Sequence, residues 1–245
     1  MRRFAFVLAL FIAGHATAAE PFERSFHARA QVGVDGKVGT VEPQEGLPPS
    51  VADVVRESVA AVEFEPATVN GEPTESTTTL WVRLHFEPGP GDALATTVVS
   101  VDQSNPFTRI PTYPEQAMRN GHSAKVMLRL ALLPDGSVDM ANSAVDSIEV
   151  RDSNWGRIDN PRAGAAMAKA AMEAARDWRI FPEEVAGVAQ STVVLTPVTF
   201  CVAKRGRAPN GCREFDPSTS EGRRQSADPG VRLPALRDAP ATPEA

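Results

Sequence analysis

Apolar and polar positions along this chain switch between a period of two and a helical period, and the same order of switches occurs twice. In the later stretch Val126, Leu128, Leu130 and Leu132 alternate with Met127, Arg129 and Ala131, the mark of a half-buried strand. Pro134-Asp135-Gly136 supplies a tight turn, because glycine tolerates a positive φ, and residues 138–150 supply a second strand. The period then changes. Asp159 or Asn160 is placed to cap a helix that takes Pro161 in its first turn, where no backbone donor is needed. Met167, Ala171, Ala174 and Trp178 make its apolar face, with Trp178 a core residue. Pro182 ends it, and residues 191–202 form a last strand with Val194, Val198 and Phe200 on one side.

The earlier stretch reads in parallel. Residues 26–34 predict a strand, Asp35-Gly36 a turn and residues 38–41 a second strand. Ser50 is expected to cap a helix with Val51, Val55, Val59 and Val62 on one face, and Leu80, Val82, Leu84 and Phe86 alternate in a last strand. Landmarks recur in order. Asp35-Gly36-Lys37-Val38 returns as Asp135-Gly136-Ser137-Val138, Phe64-Glu65-Pro66 as Ile180-Phe181-Pro182, Asn70-Gly71 as Ala186-Gly187, and residues 80–86 as residues 194–200. The extra residues of the second copy fall in one place, between Val138 and Pro161, as a duplication with a single insertion would leave them.

The expected fold class is therefore α+β. It comprises two tandem β-β-α-β modules, residues 20–87 and 111–202, each a three-stranded antiparallel sheet with one helix on one face. Residues 88–110, opened by Pro88-Gly89-Pro90-Gly91, read as a linker in which residues 98–101 could add a short strand.

The two ends change the picture. Arg2 and Arg3 precede an apolar run at residues 4–13, and His15-Ala16-Thr17-Ala18-Ala19 has the small-residue spacing of a signal-peptidase site, so residues 1–19 read as a cleavable signal peptide. That run is about half the ~20 residues needed to span a bilayer. Export to the periplasm follows, the alternative being an uncleaved inner-membrane anchor that faces it. Cys201 and Cys212 suit an oxidising compartment and could close a small disulfide loop contributing about 3 kcal/mol; the other reading is two free thiols. Residues 203–245 are this loop and a Pro-rich tail, expected to be disordered from Glu214 onward because Phe215, Val231, Leu233 and Leu236 are its only large apolar residues.

With a net charge of −6 and no basic stripe, nucleic acid is a poor partner. Nothing points to an enzyme. His27, His85 and His122 are isolated, with His85 directed outward from its strand. No His-Glu-x-x-His, Cys-x-x-Cys or Gly-x-Ser-x-Gly spacing occurs. Glu183 and Glu184 read as solvated surface, and Trp155 in the insertion as a cap on the sheet or a partner contact. No catalytic residue, cofactor or metal is expected.

The second module resembles the C-terminal domain of TonB, the periplasmic end of the bacterial energy transducer, over residues 111–202. The likeness rests on Pro111-Thr112-Tyr113-Pro114, Gly121, the strand at residues 125–133 and Asp135-Gly136-Ser137-Val138. It continues in the Ala-Arg-x-Trp-Arg-x-x-Pro ending at Pro182, in Gly187, and in Pro197-Val198-Thr199-Phe200. Domains of this kind bind an extended segment of an outer-membrane receptor as an added strand. The resemblance implies an envelope-protein partner, such as a TonB-dependent receptor. It implies contacts at Ser191, Val193, Leu195, Pro197 and Thr199 along the last strand, with Tyr113 and Pro114 leading in. The chain departs from the family in its cleavage site, in the lack of a Pro-rich spacer before the fold, and in Ile110 and Thr112 where transducers often carry a polar residue such as Gln ahead of Tyr-Pro. A stand-alone binding protein is favoured over an anchored transducer serving transmembrane transport. Membrane contact follows only if residues 1–19 stay attached, and a homodimer paired edge to edge is a further reading.

Overall fold

The computed structural model describes residues 20–88, 94–103, 109–154, 156–202 and 224–237. In chain order these form β1 (Phe22–Val32), β2 (Val38–Pro43), α1 (Pro49–Ala60), β3 (Phe64–Glu65), β4 (Ala67–Val69), β5 (Glu72–Thr74), β6 (Ser76–Pro88) and β7 (Leu94–Asp102). There follow α2 (Glu115–Arg119), β8 (Ser123–Leu132), β9 (Val138–Arg151), α3 (Pro161–Ala175), β10 (Glu184–Val185), β11 (Val188–Ala189) and β12 (Thr192–Phe200). Finally come β13 (Arg224–Ser226), β14 (Val231–Arg232) and β15 (Ala235–Leu236). The protein is mixed α and β and rich in strand, and the strands among the described residues pair antiparallel.

The first large sheet runs β11-β10-β6-β1-β2, with β7 also on β6; the second runs β13-β12-β8-β9. Alternation along the sequence leads one to expect three strands in each. Among the described residues the sheets have six and four, because β7, β10–β11 and β13 add to the outer edges of β6 and β12, where backbone groups would otherwise lack partners. Residues 88–110 are accordingly more than a linker, since β7 pairs with β6 from Trp81 to Pro88. The extra residues between Val138 and Pro161 lengthen β9, whose counterpart β2 is short.

Each large sheet packs one helix on one face. Leu80, Val82, Leu84 and Phe86 of β6 join Ala28, Ala30, Val32, Val55, Val59 and Phe64 in one core. Val126, Leu128, Leu130, Met167, Ala171, Trp178, Val194, Val198 and Phe200 lie in the other. Trp178 is buried as expected, and its indole N–H donates to Arg109 O at 2.8 Å. Asn160 caps α3, accepting from Ala163 N at 3.1 Å. Ser50 does not cap α1: the helix opens on Pro49, with Pro48 at the cap position and no side-chain bond. Proline at N1 meets the same need, since it has no N–H to satisfy and its φ is already helical.

The two Asp-Gly turns hold these layers in register. Gly36 and Gly136 have φ of 80° and 78°, and their carbonyls accept from Phe64 N at 2.8 Å and Ile180 N at 2.9 Å. The chain leaving each helix is thus stitched across the hairpin that precedes the helix. The β4–β5 and β10–β11 hairpins also match, with two-residue turns at Asn70-Gly71 and Ala186-Gly187 in which both residues have positive φ, the type I′ pattern. Asparagine suits that conformation and alanine does not, at a cost of roughly 1–2 kcal/mol. Ala186→Asn is expected to stabilise the protein by about 1 kcal/mol and raise Tm by about 3 °C. A calorimetric scan showing no rise would mean that residue 186 does not hold this turn.

The C-terminal segment departs from expectation. Residues 224–237 are ordered and carry β13, β14 and β15, which pair with β12, β4 and β3. Leu233 is 6% exposed and packs with Ala67 and Val185, while Leu236 packs against the first core. The apolar residues of this segment are few, but each enters an existing core, and backbone pairing with both halves of the chain offsets the remaining ordering entropy.

Candidate functional site

The outer edge of β12 is the predicted contact surface. Val194, Val198 and Phe200 enter the core, whereas Ser191, Val193, Leu195, Pro197 and Thr199 are half-buried on the other face. Backbone direction along the edge follows from two facts. Ala227 donates its N–H to Ser191 O at 2.8 Å, and Pro197, opposite Met127 of β8, has no N–H to give. Odd-numbered residues therefore turn their backbone polar groups to the outer edge and even-numbered ones to β8.

Part of this rim is already occupied. β13 pairs with β12 over Thr192–Val194, so the backbone of Ser191 and Val193 is engaged within the molecule and those two residues are not an open docking edge. Beyond Val194 no strand among the described residues pairs with the outer side of β12. Thr199 has an interaction of its own. What faces outward over residues 195–198 is the N–H of Leu195 and the carbonyls of Leu195 and Pro197, a short row with one donor missing at the proline.

Tyr113 and Pro114 lie elsewhere than along that rim. Pro114 takes the N-cap position of α2. The Tyr113 hydroxyl donates to His122 O at 2.5 Å, its ring meets Phe200 edge-on at 5.4 Å, and burial pushes its pKa up. Tyr113 thus braces the end of β12 from the core side. Cys201, just past that end, is disulfide-bonded; its expected partner Cys212, and Trp155, lie outside the described residues.

The joint between the two large sheets lies in residues 181–185, a few residues after α3. β10 pairs with the start of β6, matching Glu184 to Thr77 and Val185 to Ser76. Glu184 meets Arg29 at 2.8 Å. Phe181 packs on His27 with ring centroids 4.7 Å apart, and burial there lowers the His27 pKa. His85 is part-exposed, 3.9 Å from Glu23.

Glu183, expected on the surface, is 2% exposed. Its Oε1 accepts from Arg224 and, at 3.0 Å, from the Thr78 hydroxyl, while Oε2 has no partner. Gln103 Nε2 donates to Thr78 Oγ1 at 3.1 Å and to Pro234 O at 3.2 Å, and Gln103 Oε1 accepts from Leu236 N at 3.0 Å. Arg224 also donates to Gln103 O. One polar cluster thus ties β6, the residue after β7, the chain after α3 and the C-terminal segment together. Burial raises the Glu183 pKa, against the opposing pull of Arg224 and of its hydrogen bonds. No periodicity marks Glu183, Gln103 or Arg224 in the sequence, because a buried polar residue is defined by partners far along the chain.

Among the described residues no group of three or more His, Cys, Asp or Glu could hold a metal ion, and no helix is long and apolar enough to cross a membrane. The chain matches no family model, no curated protein and no solved structure.

Proposed function

We propose that this is an exported, non-catalytic binding protein of the cell envelope, built of two tandem β-β-α-β modules like the C-terminal domain of TonB. In this reading β1, β2, α1 and β6 form the first module and β8, β9, α3 and β12 the second. Both keep the Asp-Gly turn, the helix, the type I′ hairpin and the last strand in one order. A segment of an envelope protein, such as a TonB-dependent outer-membrane receptor, adds beside β12 at residues 195–198.

The observation that carries the reading is the unequal cover of two equivalent strands. β6 is covered along Trp81 to Pro88 by β7. At the matching positions of β12, following Val194, the described residues supply no such strand. An uncovered sheet edge is a template for an incoming chain. Each hydrogen bond would contribute about 0.5–1.5 kcal/mol net, so three outward groups support a modest affinity and a reversible encounter.

Leu195→Pro tests the reading at a single atom. The lost N–H faces outward, so the ladder with β8 stays intact and Tm should shift by less than about 2 °C. A photo-crosslinker at Pro197 is expected to trap an envelope protein in cells, and Leu195→Pro to reduce that adduct about two- to tenfold, the equivalent of about 0.5–1.4 kcal/mol. No adduct from the parent protein, or an adduct indifferent to Leu195→Pro, would reject strand addition at β12. Sequencing the N-terminus of the cell-derived protein decides between release at Ala19 or Glu20 and retention of an inner-membrane anchor.

A further inference from the structure

Among the described residues β7, in the other large sheet from β12, has one side that no strand covers. Glu75 O accepts from Ala186 N at 2.9 Å, which sets odd-numbered residues of β6 to bond outward, toward β10 and β7. Opposite Glu87 and His85 stand Ala95 and Thr97, so these bond inward to β6. Leu94, Thr96 and Val98 therefore direct three N–H and three C=O groups, one of each per residue, away from the sheet. The bulge of β7 lies beyond them, between the partners of Arg83 and Leu84. No strand among the described residues pairs with this side of β7. The run from Leu94 to Val98 contains neither proline nor charge, so it lacks the usual devices that blunt an edge.

Its side chains are equally exposed. Leu94, Thr96 and Val98 lie opposite Pro88, Phe86 and Leu84, on the sheet face whose Leu84 and Phe86 enter the core with α1. Leu94 and Val98 lie outside that core and are 52% and 42% exposed.

We propose that β7 is a self-association edge, on which a second copy of this chain pairs antiparallel across a two-fold axis at Thr96. That axis sets Leu94 against Val98 of the second copy, Thr96 against Thr96, and Val98 against Leu94. Outward-bonding residues then meet only outward-bonding residues, so all three N–H and all three C=O groups of each copy find partners. The same register places the exposed Leu94 and Val98 side chains in contact on one face, flanking a Thr–Thr pair, the kinds of cross-strand neighbours that stabilise sheets. A two-fold interface must be self-complementary, and an uncharged edge meets that condition without like-charge contacts. The two six-stranded sheets would merge through β7, leaving β12 of each copy uninvolved.

Sedimentation equilibrium of the purified protein over a concentration series, up to its solubility limit, tests this. The parent protein is expected to show a reversible monomer–dimer equilibrium. Thr96→Pro removes an outward N–H without breaking the β6 ladder and should remain monomeric with unchanged Tm. Val98→Lys, which sets a charge against Leu94 of the second copy, should do the same by a different route. Leu195→Pro should dimerise as the parent does. A parent protein monomeric throughout, dimers that survive both β7 variants, or dimers lost only in Leu195→Pro would overturn the proposal. None of these results depends on the crosslinking from β12.

Discussion

Gly136→Ala is expected to destabilise the protein by about 4 kcal/mol, a large loss for one added methyl group. Two penalties combine at this residue. Its φ of 78° lies in the left-handed region, costing a side chain roughly 1–2 kcal/mol. A Cβ would also stand 2.1 Å from Ile180 O, and that atom belongs to backbone held by the bond from Ile180 N to Gly136 O. Relief requires pulling the post-helix chain off the turn, which breaks this bond and disturbs Ile180 and Trp178 in the core. Gly36→Ala should behave alike, since its Cβ would meet Phe64 O at 2.1 Å. Gly187→Ala separates the two penalties: its φ is 74°, but nothing lies within 4 Å of the added carbon, so only about 1 kcal/mol is expected. Denaturant unfolding of the three variants measures the differences. Equal losses at Gly136 and Gly187 would show that the close approach carries no weight.

Arg224→Met should cost about 3–5 kcal/mol at neutral pH, because it leaves a buried carboxylate without its cation. Thr78 alone would then serve Oε1, and Oε2 already lacks a partner. The pH dependence identifies the cause. Burial sets the folded-state pKa of Glu183 above its ordinary value, so between the unfolded and folded pKa values the folded protein binds more protons than the unfolded one. Over that interval stability falls as pH rises. The window opens near the ordinary glutamate range and extends upward to the raised folded value. Removing Arg224 removes a force that lowers this pKa, so the window should reach to higher pH and the variant should regain stability on acidification. Glu183→Gln should remove this contribution to the slope. Urea unfolding of parent, Arg224→Met and Glu183→Gln between about pH 4 and 8 provides the reading. A loss in Arg224→Met that is the same across that range would place the cost in lost packing, not in an unpaired charge.

Local order was largely legible from residue patterns. The alternation of Leu80, Val82, Leu84 and Phe86, and that of Val126, Leu128, Leu130 and Leu132, marks β6 and β8 because one face of each strand is buried and the other is not. Asn160-Pro161 starts α3 where a capping side chain and a donor-free first turn coincide. The start of α1 was less well marked, since Ser50 carries the usual capping group but Pro48-Pro49 satisfies the same backbone need without it. At the candidate site, patterning located β12 and the outward position of Pro197, whereas the cover of Ser191 and Val193 by β13 could not be read from it. The pairing segment begins at Arg224, far along the chain, with only three strand residues and no alternation of its own.

Sequence alone determined where each strand and helix would bury a face, because side-chain periodicity and turn chemistry act over a few residues. It also determined the repeated order of landmarks, down to the two turns with paired positive φ. Tertiary structure decided which edges are closed and which carboxylate is buried. β7 closes one edge, β10 joins the two sheets, and the C-terminal segment is fixed by Arg224, Leu233 and Leu236. Such outcomes depend on backbone groups and charges finding partners distant in the chain, and a residue carries no local sign of a partner that only folding brings to it.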